Sequence, residues 1–348
     1  MKRLFLSLLI TGISLTMYAQ NVLDGDPYLT QSLANENISN VYVRTSGGSI
    51  RVSGVTNSSD AKIEMYVMPN NNITSISKDE IKKRLEENYI VDIKVSNGKL
   101  TATAKQKHDN WNWKKSVSIS FRVYIPKKVN TDLSTSGGSI HLNGLEGTQE
   151  FSTSGGSLHI EDITGKVDGT TSGGSIHVSD CKSDVELTTS GGSIEASNCV
   201  GNMKLQTSGG SLHFDKLDGK IDAGTSGGSI HAETIKGEFI VSTSGGSVHL
   251  DDMRCSLDAS TSGGSIDAEI TEVGSYVKLD NSAGNIDVTL PDGKGYNIDF
   301  RGDKIKTNHL NNFRGETASE DRVKGTLNGG GIPVEINASS GKVNVTFK

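Results

Sequence analysis

The sequence has only three cysteines and few aromatic residues. Cys181, Cys199 and Cys255 are an odd number and no Cys-x-x-Cys pair occurs, so neither a zinc knuckle nor a dithiol redox motif is supported. Cys181 and Cys199 are 18 residues apart, and we interpret them as core residues stacked in successive repeats, with a disulfide as the alternative. Aromatic residues make up 5% of the chain, whereas glycines number 41. This composition favours a thin, repetitive β core filled with aliphatic side chains.

Long hydrophobic runs are also scarce. The single run, from Leu4 to Met17, follows a basic start and ends near Ala19, which predicts a signal peptide over residues 1–20. The run is too short to cross a bilayer comfortably, and no other stretch approaches the roughly 20 apolar residues of a membrane-spanning helix. No cysteine follows it, which argues against a lipoprotein. We therefore expect an exported protein that is periplasmic, outer-surface or secreted, with no transmembrane segment after signal cleavage.

Positive charge is sparse in the middle of the chain. Residues 135–278 carry 8 Lys and Arg against 20 Asp and Glu, whereas residues 21–134 carry 16 against 12 and residues 279–348 carry 9 against 9. A surface with this excess of carboxylates repels phosphate backbones, so a nucleic-acid partner is excluded. Cations, basic proteins and neutral glycans stay open as partners.

One phrase organises the chain: Thr-Ser-Gly-Gly-Ser followed by Ile, Leu or Val. An outlying copy starts at Thr45 and an altered copy starts at Asn281. A fixed short period of this kind is typical of a solenoid. We call each 18-residue repeat a rung and number its positions from the threonine. The regular copies start at Thr135, Thr153, Thr171, Thr189, Thr207, Thr225, Thr243 and Thr261.

Apolar residues recur at positions 6, 8, 11, 15 and 17 of the rungs, and the alternation predicts that these positions and the threonine point inward. The Gly pair at positions 3 and 4 is expected to turn a corner that needs positive φ and room for the next rung. We therefore predict an all-β, single-stranded β-helix. Right-handed coiling is favoured, since a left-handed hexapeptide helix would show an aliphatic residue every six positions. The predicted corner glycines are Gly137, Gly138, Gly155, Gly156, Gly173, Gly174, Gly191, Gly192, Gly209, Gly210, Gly227, Gly228, Gly245, Gly246, Gly263 and Gly264.

Four regions are predicted: the signal peptide, an N-terminal β region over 21–134, the regular solenoid over 135–278 and an irregular β cap over 279–348. The N-terminal region contains one helix over about 77–89, because Ser77 and Glu80 form a capping box before an apolar stripe. Asn97-Gly98 predicts a tight hairpin turn in the same region. A cap is expected at the C-terminal end because an open last rung would recruit another chain.

The repeats, together with the copy at Thr45 and the helix before the strand that ends at Pro126, resemble the DUF4097 group of bacterial exported β-solenoids. The resemblance covers roughly residues 35–348. It implies an extracytoplasmic solenoid, adhesin-like by architecture, and it supplies no catalytic motif. The Tyr-Ala-Gln ending of the signal sequence is similar to exported proteins of Bacteroidetes-type bacteria.

Position 7 is the most unusual column of the repeats. It carries six of the eight histidines of the chain, and position 9, on the same face, is rich in carboxylates. Imidazole and carboxylate groups are ligands for zinc, copper or nickel, so a metal- or cation-binding strip or a pH-responsive face is one hypothesis. The alternative is an outward residue that was copied by duplication, because ligands on a flat sheet do not converge. The residues of the strip are His159, Glu161, His213, Asp215, His231, Glu233, His249 and Asp251.

Trp111 and Trp113 lie in a polar stretch and predict either a glycan-stacking platform or a fold-back over a sheet edge. No catalytic residue and no cofactor is predicted. The favoured function is a non-enzymatic adhesin or envelope scaffold that binds a surface glycan, another polymer or a protein. A glycan-acting enzyme with a groove along the solenoid is the alternative. Such an enzyme should break the 18-residue rule where its acids lie, and from 135 to 261 nothing breaks it.

Overall fold

A computed structural model of the chain describes residues 26–69, 77–107, 116–308, 310 and 312–348. The predicted signal peptide and the predicted stacking residues Trp111 and Trp113 lie outside these residues. No helix in the described part is long and apolar enough to cross a membrane.

The described residues form short strands, one α-helix and one 3-10 turn at Ser58–Asp60. The first third comprises β1 (Leu29–Ser32), β2 (Asn40–Thr45), β3 (Ile50–Val55), β4 (Lys62–Pro69), α1 (Lys78–Asn88), β5 (Tyr89–Ser96), β6 (Lys99–Gln106), β7 (Val117–Pro126) and β8 (Asn130–Thr135). The repeats comprise β9 (Ile140–Thr153), β10 (Leu158–Thr171), β11 (Ile176–Ser179), β12 (Lys182–Thr189), β13 (Ile194–Ser197), β14 (Val200–Thr207), β15 (Leu212–Thr225), β16 (Ile230–Thr243), β17 (Val248–Thr261) and β18 (Ile266–Asn281). The C-terminal part comprises β19 (Ile286–Leu290), β20 (Tyr296–Arg301), β21 (Lys304–Thr307), β22 (Arg314–Ala318), β23 (Arg322–Leu327), β24 (Ile332–Ala338) and β25 (Lys342–Phe347).

Successive rungs stack in parallel, and each residue lies beside the residue 18 positions later. His159 pairs with His177, for example, and Thr171 pairs with Thr189. This register holds from β9 to β17, so the β-solenoid with 18-residue rungs is confirmed. Its right-handed sense stays a prediction.

The inward positions of the rungs form one continuous apolar core that runs from Leu33 to Phe347. The core crosses the predicted boundary at 134/135 without a gap, because the copy at Thr45 is a full rung that stacks directly on the first regular one. Cys181 and Cys199 are free, buried thiols at position 11 of adjacent rungs, in agreement with their interpretation as core residues. Cys255 is buried as well.

The Gly pair does turn a corner, but not for the conformational reason that we expected from the sequence. None of the corner glycines in the described rungs has a positive φ. The first glycine of each pair faces outward, and a Cβ at Gly155 would come no closer than 3.7 Å to its nearest neighbour. A Cβ at the second glycine, Gly156, would overlap the carbonyl oxygen of Gly138 in the preceding rung. The requirement is therefore space between rungs rather than backbone freedom.

A second corner was missed by the sequence reasoning. Position 10 adopts the left-handed conformation in every regular rung from Asp162 (φ 52°) to Asp252 (φ 53°), and Gly144 does the same in the first. Aspartate and asparagine are the side chains that tolerate this conformation best, and they occupy four of these seven positions. The signal is present in the sequence, but lysine and threonine at the same position obscure it.

Both ends of the solenoid place one rung out of chain order. At the N-terminal end, β2 and β3 lie between the later rungs β8–β9 and β6–β7. At the C-terminal end, β24 and β25 lie between β18–β19 and β20–β21. Antiparallel strands then close each end: β5, β4 and β1 at the first, β23 and β22 at the second.

The predicted helix and hairpin are confirmed at the N-terminal end. Helix α1 begins after Ser77, whose hydroxyl accepts a hydrogen bond from the backbone N–H of Glu80, and it buries Ile81 and Leu85 against the core. Asn97 and Gly98 turn between β5 and β6 with φ of 50° and 72°, the positive values that this two-residue turn requires.

Candidate functional site

The histidines of position 7 form one column on the outer face of the sheet that contains the strands after the Gly corners. Each lies on a β-strand that alternates with buried neighbours, so the side chain must point to solvent. The column continues beyond the regular repeats at both ends. In spatial order it contains Arg122, Arg51, His141, His159, His177, Glu195, His213, His231, His249, Asp267, Asp287, Asn344 and Lys306.

The imidazole rings stack face to face in two groups of three. The centroids of His141 and His159 are 4.5 Å apart with an interplanar angle of 4°, and those of His159 and His177 are 5.0 Å apart at 8°. In the second group, His231 lies 5.3 Å from His213 and 5.0 Å from His249. The spacing follows from the distance between parallel strands, about 4.8 Å.

Glu195 separates the two groups of imidazoles. Its Oε2 atom lies 2.9 Å from Nδ1 of His177, so the imidazole N–H can donate to the carboxylate. The carboxylate is exposed, as is the ring of His213 on its other side. The acid therefore fixes the orientation of one ring at the middle of the column.

A shallow groove of about 710 Å³ follows the column from His159 to His249. The side chains of position 7 line one flank and those of position 9 line the other, while the buried residues of position 8 lie beneath. The structure thus brings together all eight residues that the sequence grouped in the strip. The surface is a groove rather than the flat face that we expected. Its position 9 residues are Glu161, Ser179, Ser197, Asp215, Glu233 and Asp251.

Three of the stacked rings have a lowered pKa. Burial lowers the pKa of His141 to about 4, with smaller contributions from His159 and Arg51. The pKa of His159 is also lowered, first by burial and then by His177 and Arg51. Burial and the two flanking imidazoles lower the pKa of His231, which Asp251 partly opposes. Three rings of the column are therefore biased toward the neutral form.

A metal site is not preformed on this face. Within the described residues, no group of three or more His, Cys, Asp or Glu side chains is placed to hold a metal ion. Parallel stacking explains this, since rings that lie flat on one another direct their nitrogen atoms side by side rather than toward a common point. The metal-binding strip stays a prediction.

Sequence reasoning missed the charged residues that extend the column at its two ends. Arg51 and Asp287 occupy position 7 of the outlying and altered copies, so the same numbering applied to those copies would have found them. Arg122 belongs to β7, which carries no copy of the phrase, and only the pairing of β7 with β3 places it there. Arg122 and Arg51 make the end of the column next to His141 basic, whereas beyond His249 two aspartates are followed by Asn344 and Lys306.

One family model and several solved structures match this chain. The family model described as Toastrack DUF4097 matches residues 237–346, which confirms the family resemblance seen in the sequence. No curated protein matches the chain.

Among solved structures, the chain is similar to a "putative cell adhesion protein" from Clostridium sporogenes, with 11% identity, 92% of this chain and 98% of that chain covered and a TM-score of 0.19. It is similar to a "putative adhesin" from Bacteroides fragilis, with 11% identity, coverages of 92% and 96% and a TM-score of 0.30. It is also similar to a "putative lipid binding protein" from Parabacteroides distasonis, with 14% identity, coverages of 92% and 97% and a TM-score of 0.25.

Proposed function

We propose that this chain is an exported, non-enzymatic, adhesin-like β-solenoid that binds an uncharged linear glycan of a cell surface along the groove from His159 to His249. The observation that carries the proposal is periodicity. The same two side-chain positions line the groove on six successive rungs, and the rungs are about 4.8 Å apart. A ligand that repeats along its length can make the same contact several times on such a surface.

The chemistry of the groove favours hydroxyl groups over charged polymers. Carboxylates accept hydrogen bonds from hydroxyls, and neutral imidazoles both donate and accept them. Because His159 and His231 are biased toward the neutral form, they offer little positive charge to balance the acids. An anionic polymer would therefore be repelled at neutral pH. The groove carboxylates are Glu161, Glu195, Asp215, Glu233 and Asp251.

Regularity supports a binding role over an enzymatic one. A glycan-acting enzyme needs an acid and a second carboxylate set apart from their neighbours in protonation and position. Here the register is unbroken from His141 to His249, and each groove residue has an equivalent above and below it. The register shifts between β17 and β18 begin after Leu250, at the end of the groove that Asp251 lines. A basic protein is the other ligand class that the charge allows.

Affinity electrophoresis of the full chain in gels that contain neutral envelope polysaccharides tests the proposal. We expect retardation of the wild-type chain and loss of retardation in the triple variant His213→Ala, Asp215→Ala and His231→Ala. The matched control is Glu186→Ala, Lys204→Ala and Asp222→Ala. These three exposed side chains lie on adjacent rungs, in the strands that precede the Gly corners and outside the groove. Equal retardation of the two variants, or no retardation of the wild-type chain by any neutral polysaccharide, would contradict the proposal.

A further inference from the structure

Strand β5 is an open sheet edge at the N-terminal end of the solenoid. It pairs in antiparallel fashion with β6, from Tyr89 opposite Gln106 to Ser96 opposite Lys99. No other strand of the described residues pairs with it. Its exposed apolar residue Ile90 is 57% accessible. An eight-residue strand with one unpaired edge is a ready template for another strand.

Along β5, successive residues direct their backbone groups alternately toward β6 and toward the open edge. The backbone N–H of Lys107 donates to the carbonyl of Asn88 at 2.9 Å, so Asn88 and every second residue after it bond toward β6. Tyr89 and every second residue after it must then direct their backbone groups away from β6. The N–H of Tyr89 does so, since it donates to the carbonyl of Leu85 in α1. Among the described residues, no strand pairs with the backbone groups of Val91, Ile93 and Val95 that point away from β6.

The sequence of β5 is self-complementary about Ile93. Val91 and Val95 lie symmetrically on either side of it, and between them lie Asp92 and Lys94, two side chains of opposite charge. In the isolated chain, Nζ of Lys94 contacts Oδ2 of Asp92 at 2.6 Å on the outer face. If a second β5 ran antiparallel with the two Ile93 residues opposite each other, each Asp92 would face a Lys94, and each Val91 would face a Val95.

We propose that β5 joins two copies of this chain into a two-fold symmetric dimer, with antiparallel pairing centred on Ile93. The residues that would exchange backbone hydrogen bonds in this register are Val91, Ile93 and Val95, the three whose backbone groups face the open edge. The pairing of opposite charges and the direction of the backbone hydrogen-bonding groups thus favour the same register independently. The contact is isologous, so it closes at two chains.

The other edge strands of the described residues lack this complementarity. In β21, pairing about Ile305 would place Lys304 opposite Lys306 of the second copy. In β22, pairing about its middle residue would place Glu316 opposite Glu316. Like charges directly across a strand pair are destabilising. Strand β1 has only four residues. Association through β5 would therefore join the N-terminal ends of two solenoids.

Sedimentation velocity on charge variants of the full chain tests this register. Asp92→Lys and Lys94→Asp each replace two attractive cross-strand pairs by two repulsive ones, and we expect each to raise the dimer Kd by about tenfold or more. The double swap Asp92→Lys with Lys94→Asp should restore the wild-type Kd. An equimolar mixture of the two single variants should form a heterodimer, since every charge again faces its opposite.

A single cysteine reports the same register independently. Ile93→Cys should form a disulfide between copies under mild oxidation, because the paired Cα atoms would lie about 5.5 Å apart. Ile90→Cys is the control, since its two copies would lie about 20 Å apart in this register. The native cysteines are buried and should not interfere. A wild-type chain that sediments as a monomer at its highest soluble concentration would overturn the proposal. So would single charge variants that dimerise as the wild type does, or a double swap that fails to recover.

Discussion

The regular rungs of this solenoid continue the stacking of strands, whereas its two ends terminate it. In the rungs from Thr135 onward, chain order and spatial order coincide, and each rung offers the next the same surface. At the two ends, spatial order differs from chain order. The rung β24–β25 is last in the sequence but lies closer to the middle of the solenoid than β20–β21, and β2–β3 likewise lies closer to the middle than β6–β7. A repeat that templates its own continuation cannot stop by itself. Here, the rungs inserted out of chain order and the antiparallel strands that follow them end the stacking.

The two regions should respond very differently to the loss of one rung. Deletion of residues 171–188 removes one whole rung from the middle and joins Thr170 to Thr189. The flanking rungs can then stack in the same register, so we expect a folded chain of lower stability. Deletion of residues 332–348 removes an internal rung, so β18–β19 and β20–β21 both lose the rung that lies between them. We expect that chain to aggregate or to lose its C-terminal structure.

Circular dichroism and size-exclusion chromatography of the two deletions check this comparison. A soluble, β-rich 332–348 deletion with a cooperative thermal transition like that of the 171–188 deletion would show that the out-of-order rung is dispensable. The two deletions remove 18 and 17 residues, so the loss of chain length is nearly equal.

The corner glycines should differ in their tolerance of a methyl group. Gly192→Ala places a Cβ on the carbonyl oxygen of Gly174, and the rungs must separate to admit it. We expect the free energy of unfolding to fall by about 3 kcal/mol. Gly191→Ala is the matched control, since its Cβ would lie 3.6 Å from the nearest atom and its φ is not positive. Equal denaturation midpoints for the two variants would refute the steric explanation of the corner.

The threonine of each corner supports the stack with a buried hydroxyl. Oγ1 of Thr189 donates to the carbonyl of Gly174 in the preceding rung at 2.8 Å and accepts from the N–H of Gly192. Thr189→Val keeps the shape and removes both bonds, so we expect a loss of about 1–2 kcal/mol in chemical denaturation. Thr188→Val makes the same change at the exposed neighbouring position and should cost far less. Equal losses would mean that the hydroxyl contributes nothing specific.

The altered copy at the C-terminal end supplies the same bonds with another side chain. Nδ2 of Asn281 donates to the carbonyl of Gly264 at 2.8 Å, and its Oδ1 accepts from the N–H of Ala283. Threonine is therefore not required as such. The corner requires a buried group that donates to one rung and accepts from its own.

The smallest expected effect is a change in the pKa of the histidines that lie next to Arg51 in the column. The pKa of His141 is lowered from 6.5 to about 4, so between these pH values the unfolded chain binds a proton that the folded chain does not. Its contribution to stability is thus present above pH 6.5 and is lost as the pH falls toward 4. Arg51→Gln removes one cause of the shift and should raise the pKa of both His141 and His159.

NMR titration of the imidazole resonances measures this change directly. We expect both resonances to titrate at higher pH in Arg51→Gln than in the wild-type chain, while the resonance of His231, on the far side of Glu195, stays where it was. A shift of all three by the same amount would indicate a change in the stack as a whole rather than the loss of one nearby charge.

Much of the fold could be read from the residues alone. The 18-residue period, the inward positions 6, 8, 11, 15 and 17, the helix after Ser77 and the hairpin at Asn97 each depend on a local pattern, and each is confirmed. The members of the histidine strip were also predictable, because a constant register converts equal spacing along the chain into a column in space.

Only the tertiary structure determined the contacts between strands that are distant in the sequence. No local pattern shows that β7 stacks on β3, that Arg122 therefore extends the histidine column, or that the last rung in the sequence is not the last in space. The Gly pair did predict a need for room between rungs, but only the structure shows that the second glycine alone requires it and that neither glycine has a positive φ. Within the repeats, each rung specifies its neighbour, so sequence spacing is sufficient. At the ends the neighbour comes from far along the chain, and only packing selects it.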